Sequence, residues 1–406
     1  MQKFEKHSPV VVTEVTTKHE LRQFMQYPNR LYADNPNYIP SFYGDDLSDW
    51  TPGKNPAFDY CEARCWLARR DGEIVGRIGA ILSHKANDKF GTHRMRFSQV
   101  DFVDDSEVSA ALFGTVERWA REKGCDQVHG PLGFTDMDRE GMLVEGFDRR
   151  SLFFTNYNAP YYLEHLTRLG YRKDVDWIEY RITVPEPGGA EAERLHKLSE
   201  FILKRKHLHV ATVHHKSEYG PFVRQVFELV NAAYAPLYGV VELSDEQIER
   251  YANKFIPLVD PDFVCFVVDE QDQLVAFGVT ALDPSVALKH SDGRLFPFGW
   301  AGVLNDLHHS DTLIMLLTAV RPDLQTEGIN AVMMDHVCQS CNRHGVHFAE
   351  TGPMLELNDH ILAQWKRLKK EQHKRRRCFI KDLDHDVNAA NAAAAQTETP
   401  ETESAE

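Results

Sequence analysis

The sequence lacks the features that mark membrane-spanning, secreted and nucleic-acid-binding proteins. No apolar run approaches the ~20 residues that a transmembrane helix requires, and the opening MQKFEKHSPVVV has no signal-peptide core. Asp and Glu outnumber Lys and Arg, 61 to 46, for a net charge of −15, whereas general nucleic-acid binders carry excess cations. We therefore expect a cytoplasmic protein with no transmembrane segment and no nucleic-acid partner.

The number of cysteines is ordinary and odd, seven in 406 residues. Cys338 and Cys341 form a CxxC pair, but zinc needs a second pair of ligands at suitable spacing, and none lies nearby. Both cysteines continue the apolar positions of a helical pattern that starts at Ile329, so we expect them on its buried face. The sequence predicts no bound metal and no disulfide framework.

A pattern that occurs twice divides the chain into two halves. Residues 66–82 and 264–282 each read as two β-rich runs around a short polar turn, which predicts a hairpin in each half. A strand and a helix precede each hairpin, and a strand, an amphipathic helix and another strand follow it. A last helix and strand close each half. The predicted elements after the hairpins lie at 95–103, 107–123, 124–130, 160–169 and 176–183, and at 312–320, 325–343, 345–350, 359–369 and 375–383.

Composition sets the predicted domain boundaries. The Pro-Glu-Pro-Gly-Gly stretch at 185–189 reads as a linker, so we expect one mixed α/β domain over 1–184 and a second over 190–383. Residues 384–406 contain neither Lys nor Arg and are rich in Ala, Thr and Glu. This composition predicts a disordered acidic tail.

The sharpest local signal is LLTAVRPDLQTEGINAVMM, residues 316–334. A predicted strand ends at Val320, Pro322 breaks it, and a helix opens in the turn from Gln325 to Gly328. Unpaired N–H groups and the helix dipole favour an anion at such a corner, and glycine lets a ligand approach the backbone. The segment therefore predicts a pyrophosphate site, with an ordinary strand-to-helix turn as the alternative.

This segment resembles the pyrophosphate loop of the GNAT superfamily of acyl-CoA-dependent N-acyltransferases, which reads approximately V-x-P-x-x-Q/R-x-x-G-x-G/A. Asn330 replaces the final small residue of that loop. Segments 130–148, 156–182, 292–300 and 348–358 resemble tandem-GNAT bacterial proteins, so the resemblance covers nearly the whole chain. It implies two fused GNAT folds, each a twisted, mostly antiparallel sheet flanked by helices, and coenzyme A thioester as co-substrate. The implied coenzyme-binding residues are Leu317, Thr318, Val320, Gln325, Thr326, Glu327, Gly328, Ile329, Asn330 and Asn358.

The first half lacks this corner. Its strand-to-helix passage runs through Asp101, Asp104, Asp105 and Glu107 without a glycine, and four carboxylates would repel a diphosphate. We expect a degenerate loop there. A later segment with Asn158, Tyr161 and Tyr162 resembles the superfamily's acceptor side; aromatic core packing is the alternative.

The segment from 133 to 148 has three glycines and five acidic residues, a composition typical of an ordered functional loop or of a solvated one. Asp136, Asp138 and Glu140 are candidates to bind an amine acceptor. Their spacing fits no EF-hand. We predict that the acceptor site lies between the halves, with 133–148 and 156–162 facing the coenzyme of the second half.

Amide formation from a thioester needs a base for the amine and an acid for the leaving thiolate. Glu350, at a strand end beside the coenzyme helix, is the candidate base; the alternative is an ion pair with Lys or Arg. The superfamily's usual acid is a Tyr in the last helix, but that helix here, NDHILAQWKRL, has none. Tyr161 and Tyr162 are the remaining candidates.

Two segments bear on the substrate. LFPFGWAGVL, 295–304, reads as neither strand nor helix. The segment is expected either to line an acyl or lipid pocket, with Phe298 and Trp300 as candidate substrate-binding residues, or to pack between the domains. The basic run 366–377 reads as a solvated helix end, a contact with coenzyme phosphates, or a peripheral contact with an anionic membrane.

These features predict an enzyme that transfers an acyl group, acetyl or long-chain, from acyl-CoA to a primary amine. Bacterial ceramide synthases in the same superfamily make a lipid amine a candidate acceptor. The alternative is a tandem-GNAT binding or scaffold protein that has lost turnover, as the degenerate first half and the missing Tyr suggest.

Overall fold

The structure is a computed structural model that describes residues 8–383, in which fourteen strands and twelve α-helices form. The strands are β1 (Val11–Glu14), β2 (Cys61–Arg70), β3 (Glu73–Ser83), β4 (Arg94–Phe102), β5 (Gln127–Gly130), β6 (Met142–Glu145), β7 (Arg172–Thr183), β8 (His209–Val210), β9 (Val264–Val268), β10 (Leu274–Leu282), β11 (Thr312–Val320), β12 (Phe348–Glu350), β13 (Met354–Leu355) and β14 (Lys370–Asp382). The helices are α1 (Lys18–Leu31), α2 (Tyr43–Asp49), α3 (His84–Phe90), α4 (Ser106–Glu122), α5 (Tyr162–Arg168), α6 (Ala190–Lys206), α7 (Gly220–Tyr234), α8 (Asp245–Phe255), α9 (Ser285–His290), α10 (Gly299–His309), α11 (Asn330–His344) and α12 (Asp359–Ala363). Within this range, no helix combines the length and apolarity needed to cross a bilayer.

All fourteen strands belong to one continuous sheet. Its order is β1-β2-β3-β4-β5-β14-β7-β12-β11-β10-β9-β8, with β6 paired to β14 and β13 paired to β7. Neighbours are antiparallel except β4 with β5 and β11 with β12. The sheet is thus mostly antiparallel, as predicted.

The last strand of each half lies in the other half's part of the sheet. β14, from the end of the described chain, pairs with β5 of the first half on one side and with β7 on the other. β7, from the end of the first half, pairs in turn with β12 of the second half. The sheet therefore does not divide at residue 184, and the predicted domains describe two sequence halves whose final strands are exchanged.

Helices cover both faces of the sheet, and alternating side chains along the strands explain why. On β2, Trp66 and Ala68 face the core under α4, whereas Cys65 and Leu67 pack with residues of α1. The second half repeats this arrangement: alternate residues of β9 pack toward α7 and α8 or toward α11 and α6. Alternate side chains of a strand face opposite sides of the sheet, and both sets are apolar here because helices cover both sides.

The repeat of elements predicted from the sequence is confirmed, including both hairpins and the strand over 312–320. Helix α6 was not predicted; it follows the linker and packs against α11. Cys338 and Cys341 are buried, as predicted. The predicted acidic tail, 384–406, lies outside the described residues.

Two predictions about local structure are wrong. The basic run 366–377 is not a solvated helix end, because most of it forms β14, where Lys374 and Arg376 are fully buried. Both cations pair with Glu179 of β7, at 3.2 Å from Lys374 Nζ and 2.5 Å from Arg376 Nε. The segment 295–304 is not wholly irregular, because its residues from Gly299 onward begin α10.

Candidate functional site

The corner between β11 and α11 presents a row of free backbone donors. A short 3₁₀ turn, Pro322–Leu324, follows β11, and α11 begins at Asn330, later than predicted. Within residues 8–383 no acceptor is found for the backbone N–H groups of Gln325, Thr326, Gly328, Ile329 and Asn330. Gly328 adopts a φ of +81°, a conformation that glycine accepts readily. These donors and the helix dipole suit a diphosphate.

Cations from α6 lie beside this corner. Lys204, Arg205 and Lys206 form the last turn of that helix, and Lys206 Nζ lies 2.6 Å from the carboxylate of Glu327. The side chain of Glu327 is therefore turned to α6, and only its backbone is free to face an anion. The run of basic residues at 204–206 could have indicated these cations. Their position beside the corner depends on α6, which the sequence analysis did not predict.

The equivalent corner of the first half is closed. Asp105 caps α4, accepting from the N–H groups of Glu107 and Val108, and Arg70 pairs with both Asp105 and Glu107. The donors that would hold a phosphate are thus bonded to a carboxylate of the same chain. This arrangement agrees with the degenerate loop expected from the sequence.

A cavity of about 650 Å³, here called the central cavity, joins the open corner to the first half. From the second half it is lined by residues 318–320, Gln325, Asn330 and Asn358 among others. From the first half come Asp136, Glu140 and Trp177. The loop predicted to face the second half's coenzyme therefore lies on the same cavity as the corner.

Asp136 and Glu140 form a carboxyl pair with perturbed acidity. Burial, together with the negative charge of Asp138, raises the pKa of Asp136 to about 6. Burial and the neighbouring Asp136 raise the pKa of Glu140 well above its usual range. Two carboxyls on one poorly solvated wall favour protonation or attract a cation.

The third predicted member of this loop points elsewhere. Asp138 accepts from the backbone N–H groups of Phe134 and Thr135, at 2.8 and 3.2 Å. It lines a separate, smaller polar cavity that also contains Asp49 and Lys254. Asp136 and Glu140 thus line the central cavity, whereas Asp138 lines its neighbour.

The predicted catalytic residues do not meet in the central cavity. Glu350 Oε2 lies 3.2 Å from Nζ of the buried Lys374, which favours the ion-pair alternative over a free base. Tyr161 and Tyr162 pack in the first half's core, and each donates to the carbonyl of Phe102.

Other predicted site residues have structural partners. Asn158 is buried, with both ends of its amide bonded to the backbone of Leu143. Ile329 is buried in a core with α6, and Asn358 caps α12 by accepting from the N–H of Ile361. Gln325 donates to the carbonyl of Val320 at 3.3 Å.

The predicted acyl pocket does not form at 295–304. Phe298 is 80% exposed and Trp300 47% exposed, beside Phe296 at 81%. None of the three lines the cavities described in this subsection. These three side chains do not enclose a pocket, whereas Leu295 and Val303 of the same segment belong to a core with Ile39 and Phe42 of the first half, as the packing alternative expects.

A different apolar space lies next to the central cavity. It has a volume of about 170 Å³ and is called the apolar chamber; Leu317, Met333, Val337 and Trp365 are among its lining residues. Tyr234, Thr318, Asn330 and Gln364 line both spaces, so the two adjoin.

Sequence reasoning missed two tyrosines of the central cavity. Tyr234 ends α7 and donates to the carbonyl of Thr318 at 2.7 Å; burial and the charge of Asp136 raise its pKa. Tyr238 donates to Asp174 at 2.5 Å and lies 2.9 Å from His129 Nδ1. Both occur in AAYAPLYG, a turn after a helix, and only the tertiary fold brings them to the cavity.

The atoms around Tyr238 also include the only described group of His, Cys and carboxylate side chains that could hold a metal within residues 8–383: His129, Asp174 and Cys378. The Tyr238 hydroxyl lies among them and is hydrogen-bonded to all three. A hydrogen-bonded network accounts for this cluster, and the absence of a metal stays a prediction.

Comparison with known proteins relates the chain to two curated sequences. Protein YghO of Escherichia coli is 27% identical over 379 residues, covering 92% of this chain and 95% of the relative. A bacterial ceramide synthase of Caulobacter vibrioides is 28% identical over 300 residues, covering 72% and 75%. No protein-family model matches the chain.

Solved structures share the architecture at low sequence identity. A tandem GNAT protein from the clavulanic acid biosynthesis pathway has a TM-score of 0.52 at 13% identity and covers 92% of this chain and 99% of its own. A GCN5-related N-acetyltransferase from Sphaerobacter thermophilus has a TM-score of 0.50 at 12% identity, covering 92% and 96%. The chain therefore has the fold of tandem GNAT proteins, two fused copies of one α/β fold, and it is similar in sequence to a bacterial ceramide synthase.

Proposed function

We propose that this protein transfers an acyl group from acyl-CoA to a primary amine in the central cavity. The observation that carries the proposal is the meeting of two features on one cavity: Gln325 and Asn330 of the corner, whose backbone N–H groups are free, and the carboxyls of Asp136 and Glu140. The first suits a diphosphate and the second suits a cationic amine. Each half thus supplies one part of the site.

The residues of the corner fit coenzyme A. Its diphosphate would accept from the free N–H groups, and Lys206 and its neighbours on α6 would attract the phosphates. The thioester supplies an activated acyl carbon. The protein's part is to hold that carbon near Thr318 and Tyr234, where the two cavities adjoin.

Asp136 and Glu140 would receive the amine. A primary amine is mostly protonated near neutral pH and must lose a proton before it attacks a thioester. An ionised carboxylate of the pair would first bind the ammonium group and then accept its proton. The raised pKa of each carboxyl brings its basicity closer to that of the amine, which favours the transfer.

Tyr234 is the candidate acid for the leaving thiolate. Tyr234 lines both cavities, and its hydroxyl carries a proton that it donates to the carbonyl of Thr318 in the structure. It takes the role that the sequence left to Tyr161 and Tyr162. The relation to a protein named a ceramide synthase supports testing lipid amines beside small amines and peptides.

The proposal predicts that Asn330→Asp weakens coenzyme A binding by at least ~10-fold. The variant adds a carboxylate where the diphosphate would lie, while an acidic residue at a helix N-terminus favours folding. The measurement is calorimetric titration with coenzyme A. The matched control is Ser106→Asp, the first residue of α4 in the closed corner, which should leave the affinity unchanged.

The activity itself is tested by incubating the protein with acyl-CoA and a cell extract and identifying new amides by mass spectrometry. Tight coenzyme binding without any amide product would favour the scaffold alternative. If both variants lost the same affinity, or if neither lost any, the coenzyme would not bind at the β11–α11 corner.

A further inference from the structure

Four apolar side chains project into solvent at one place on the surface of the second half. Phe296 and Phe298 lie in the loop between α9 and α10, and Trp300 and Leu304 lie one turn apart on α10. The two phenylalanines are more exposed than any other large hydrophobic side chain among residues 8–383. We call these four side chains the aromatic patch. None of them lines the central cavity, so the proposed site does not account for their exposure.

The loop that carries the two phenylalanines is held in place by its backbone. The carbonyl of Gly293 accepts from the N–H of Tyr43 in the first half, at 2.9 Å. Gly293 packs so closely there that a Cβ would lie 1.9 Å from the carbonyl oxygen of Ser41. At the other end of the loop, the indole N–H of Trp300 donates to the carbonyl of Pro297 at 3.2 Å. The exposed rings are therefore presented to solvent by an ordered segment.

The area and shape of the aromatic patch fit a lipid surface better than a second protein. Its four side chains expose on the order of 500 Å² of apolar surface, since an aromatic side chain offers about 150–250 Å². A stable protein interface buries about 800 Å² on each partner. Phenyl and indole rings at the tip of a loop can enter the interfacial region of a bilayer, which favours these side chains and requires no complementary shape.

The charges around the patch suit an anionic lipid surface. The chain has a net charge of −15, yet the exposed side chains of residues 286–309 include a single carboxylate, Asp292. Arg294 is exposed beside the patch, with its guanidinium 5.3 Å from the centre of the Tyr43 ring. The other exposed ionisable side chains of this range are the histidines His290, His308 and His309. The patch can therefore approach anionic headgroups without the repulsion that the net charge would otherwise cause.

We propose that the aromatic patch inserts into the interfacial region of an anionic phospholipid membrane and holds the protein at its surface. A membrane contact was considered above for the basic run 366–377, but β14 buries much of that run, whereas the patch is exposed. The inference does not depend on the proposed function, because no residue of the patch belongs to the central cavity.

The first test is co-sedimentation of the whole protein with vesicles of mixed phosphatidylcholine and phosphatidylglycerol. We expect Phe298→Ser to weaken binding to these vesicles by at least ~10-fold, because an inserted phenyl ring is lost. The matched control is Phe90→Ser on α3, which removes an exposed phenylalanine that also lies beside a cation, Lys89. It should leave binding unchanged. No binding by the parent, or the same loss in both variants, would overturn the proposal.

Trp300 provides a second measurement. It is exposed, whereas the other five tryptophans of the chain are buried. Lipids with brominated acyl chains quench only those indoles that they contact, so quenching of the protein's fluorescence by vesicles of such lipids reports insertion of the patch. We expect quenching in the parent and its loss in Trp300→Phe, which keeps an aromatic ring and should bind vesicles within about threefold of the parent. A parent that binds vesicles without quenching would place the contact on another surface and contradict the proposal.

A second copy of the chain is the competing occupant of the patch, and light scattering distinguishes it. A parent dimer that Phe298→Ser converts to a monomer, with no vesicle binding by either, would assign the patch to self-association and reject the membrane contact. Acyl transfer to a water-soluble amine should be unchanged in Phe298→Ser, because the patch lies outside the central cavity. Vesicle binding that depends on Phe298 would support this inference even if no amide product were found.

Discussion

Asp136 illustrates how the tertiary environment changes the chemistry of a single residue. In the sequence it is one of five carboxylates in a short loop, whereas in the fold it lines the central cavity with its pKa raised to about 6. Below that pH the carboxyl is protonated and can neither bind an ammonium group nor accept a proton. Above it, both roles become available.

We therefore predict that kcat/KM for acyl transfer falls as pH drops through about 6. Asp136→Asn should lower kcat/KM by roughly 10²-fold or more and remove this acid limb. The measurement is a pH–rate profile of the parent and the variant. Glu140→Gln is the control, because it leaves Asp136 to titrate and should retain an acid limb. An unchanged limb in Asp136→Asn would assign the titration to another group.

At the same scale, Gly328 shows what the sequence does not reveal. The motif predicts close approach of a ligand to this glycine, and a Gly328→Val variant would be the obvious test from sequence alone. The structure gives a φ of +81° and places Ile202 Cδ1 only 3.2 Å from the point that a Cβ would occupy. A β-branched residue there is strained for reasons unrelated to the coenzyme, so Asn330→Asp is the cleaner variant.

At the scale of elements, periodicity and turn residues were sufficient to predict nearly all of the repeated strands and helices. The two hairpins, β4 with α4 and β11 with α11 follow from local patterns in the sequence. Glu350 could not be assigned in this way, because its partner Lys374 lies on β14 and reaches it only through strand pairing. The role of a side chain in an ion pair depends on its neighbours in space, which local patterns do not contain.

β14 provides the clearest example of that limit. Its basic residues read as solvated, yet Lys374, Arg376 and their partner Glu179 are all fully buried. Burial opposes ionisation of Glu179, but the charges of Arg376 and Lys374 outweigh it and lower its pKa to about 2. Only the pairing of β14 with β7 makes this burial tolerable.

We predict that Glu179→Gln destabilises the protein by about 3–5 kcal/mol, because it leaves the buried Arg376 without its carboxylate and removes one of the two carboxylates that pair with Lys374. Urea unfolding measures the change. The control is Glu164→Gln, which breaks an exposed pair with Arg168 and should cost less than ~1 kcal/mol. In the parent, ionised Glu179 contributes fully to the free energy of unfolding above its ordinary pKa of 4.5. This contribution is lost as the pH falls toward 2. The variant should therefore lose less stability in acid; similar effects of the two substitutions would contradict this assignment.

At the scale of the whole molecule, the exchange of final strands joins the halves more firmly than a linker would. β14 completes the first half's sheet beside β5, and β7 completes the second half's sheet beside β12. The central cavity draws on both halves. A repeat in sequence predicts two similar folds, but it does not specify which copy supplies which strand, since either arrangement satisfies the same hydrophobic pattern.

The exchange predicts that the halves fold together and not separately. We consider the chain divided between Gly188 and Gly189 of the linker, with the two fragments produced alone or in the same cells. Alone, the first fragment would have to place β7 beside β5 without β14, and Glu179 would lose Arg376 and Lys374. That leaves a buried carboxylate without its cations, at a cost of several kcal/mol, comparable with the stability of a whole domain.

We therefore expect neither fragment alone to show a cooperative thermal transition in circular dichroism. Produced together, the fragments should purify as a 1:1 complex that unfolds in one transition, because β14 and β7 can then reach their places in the shared sheet. The control is the same cut in chains carrying Glu164→Gln, which removes only an exposed pair and should not alter assembly. Two fragments that each unfold cooperatively as monomers would mean that each half closes its sheet with its own final strand, and that the exchange is not required for folding.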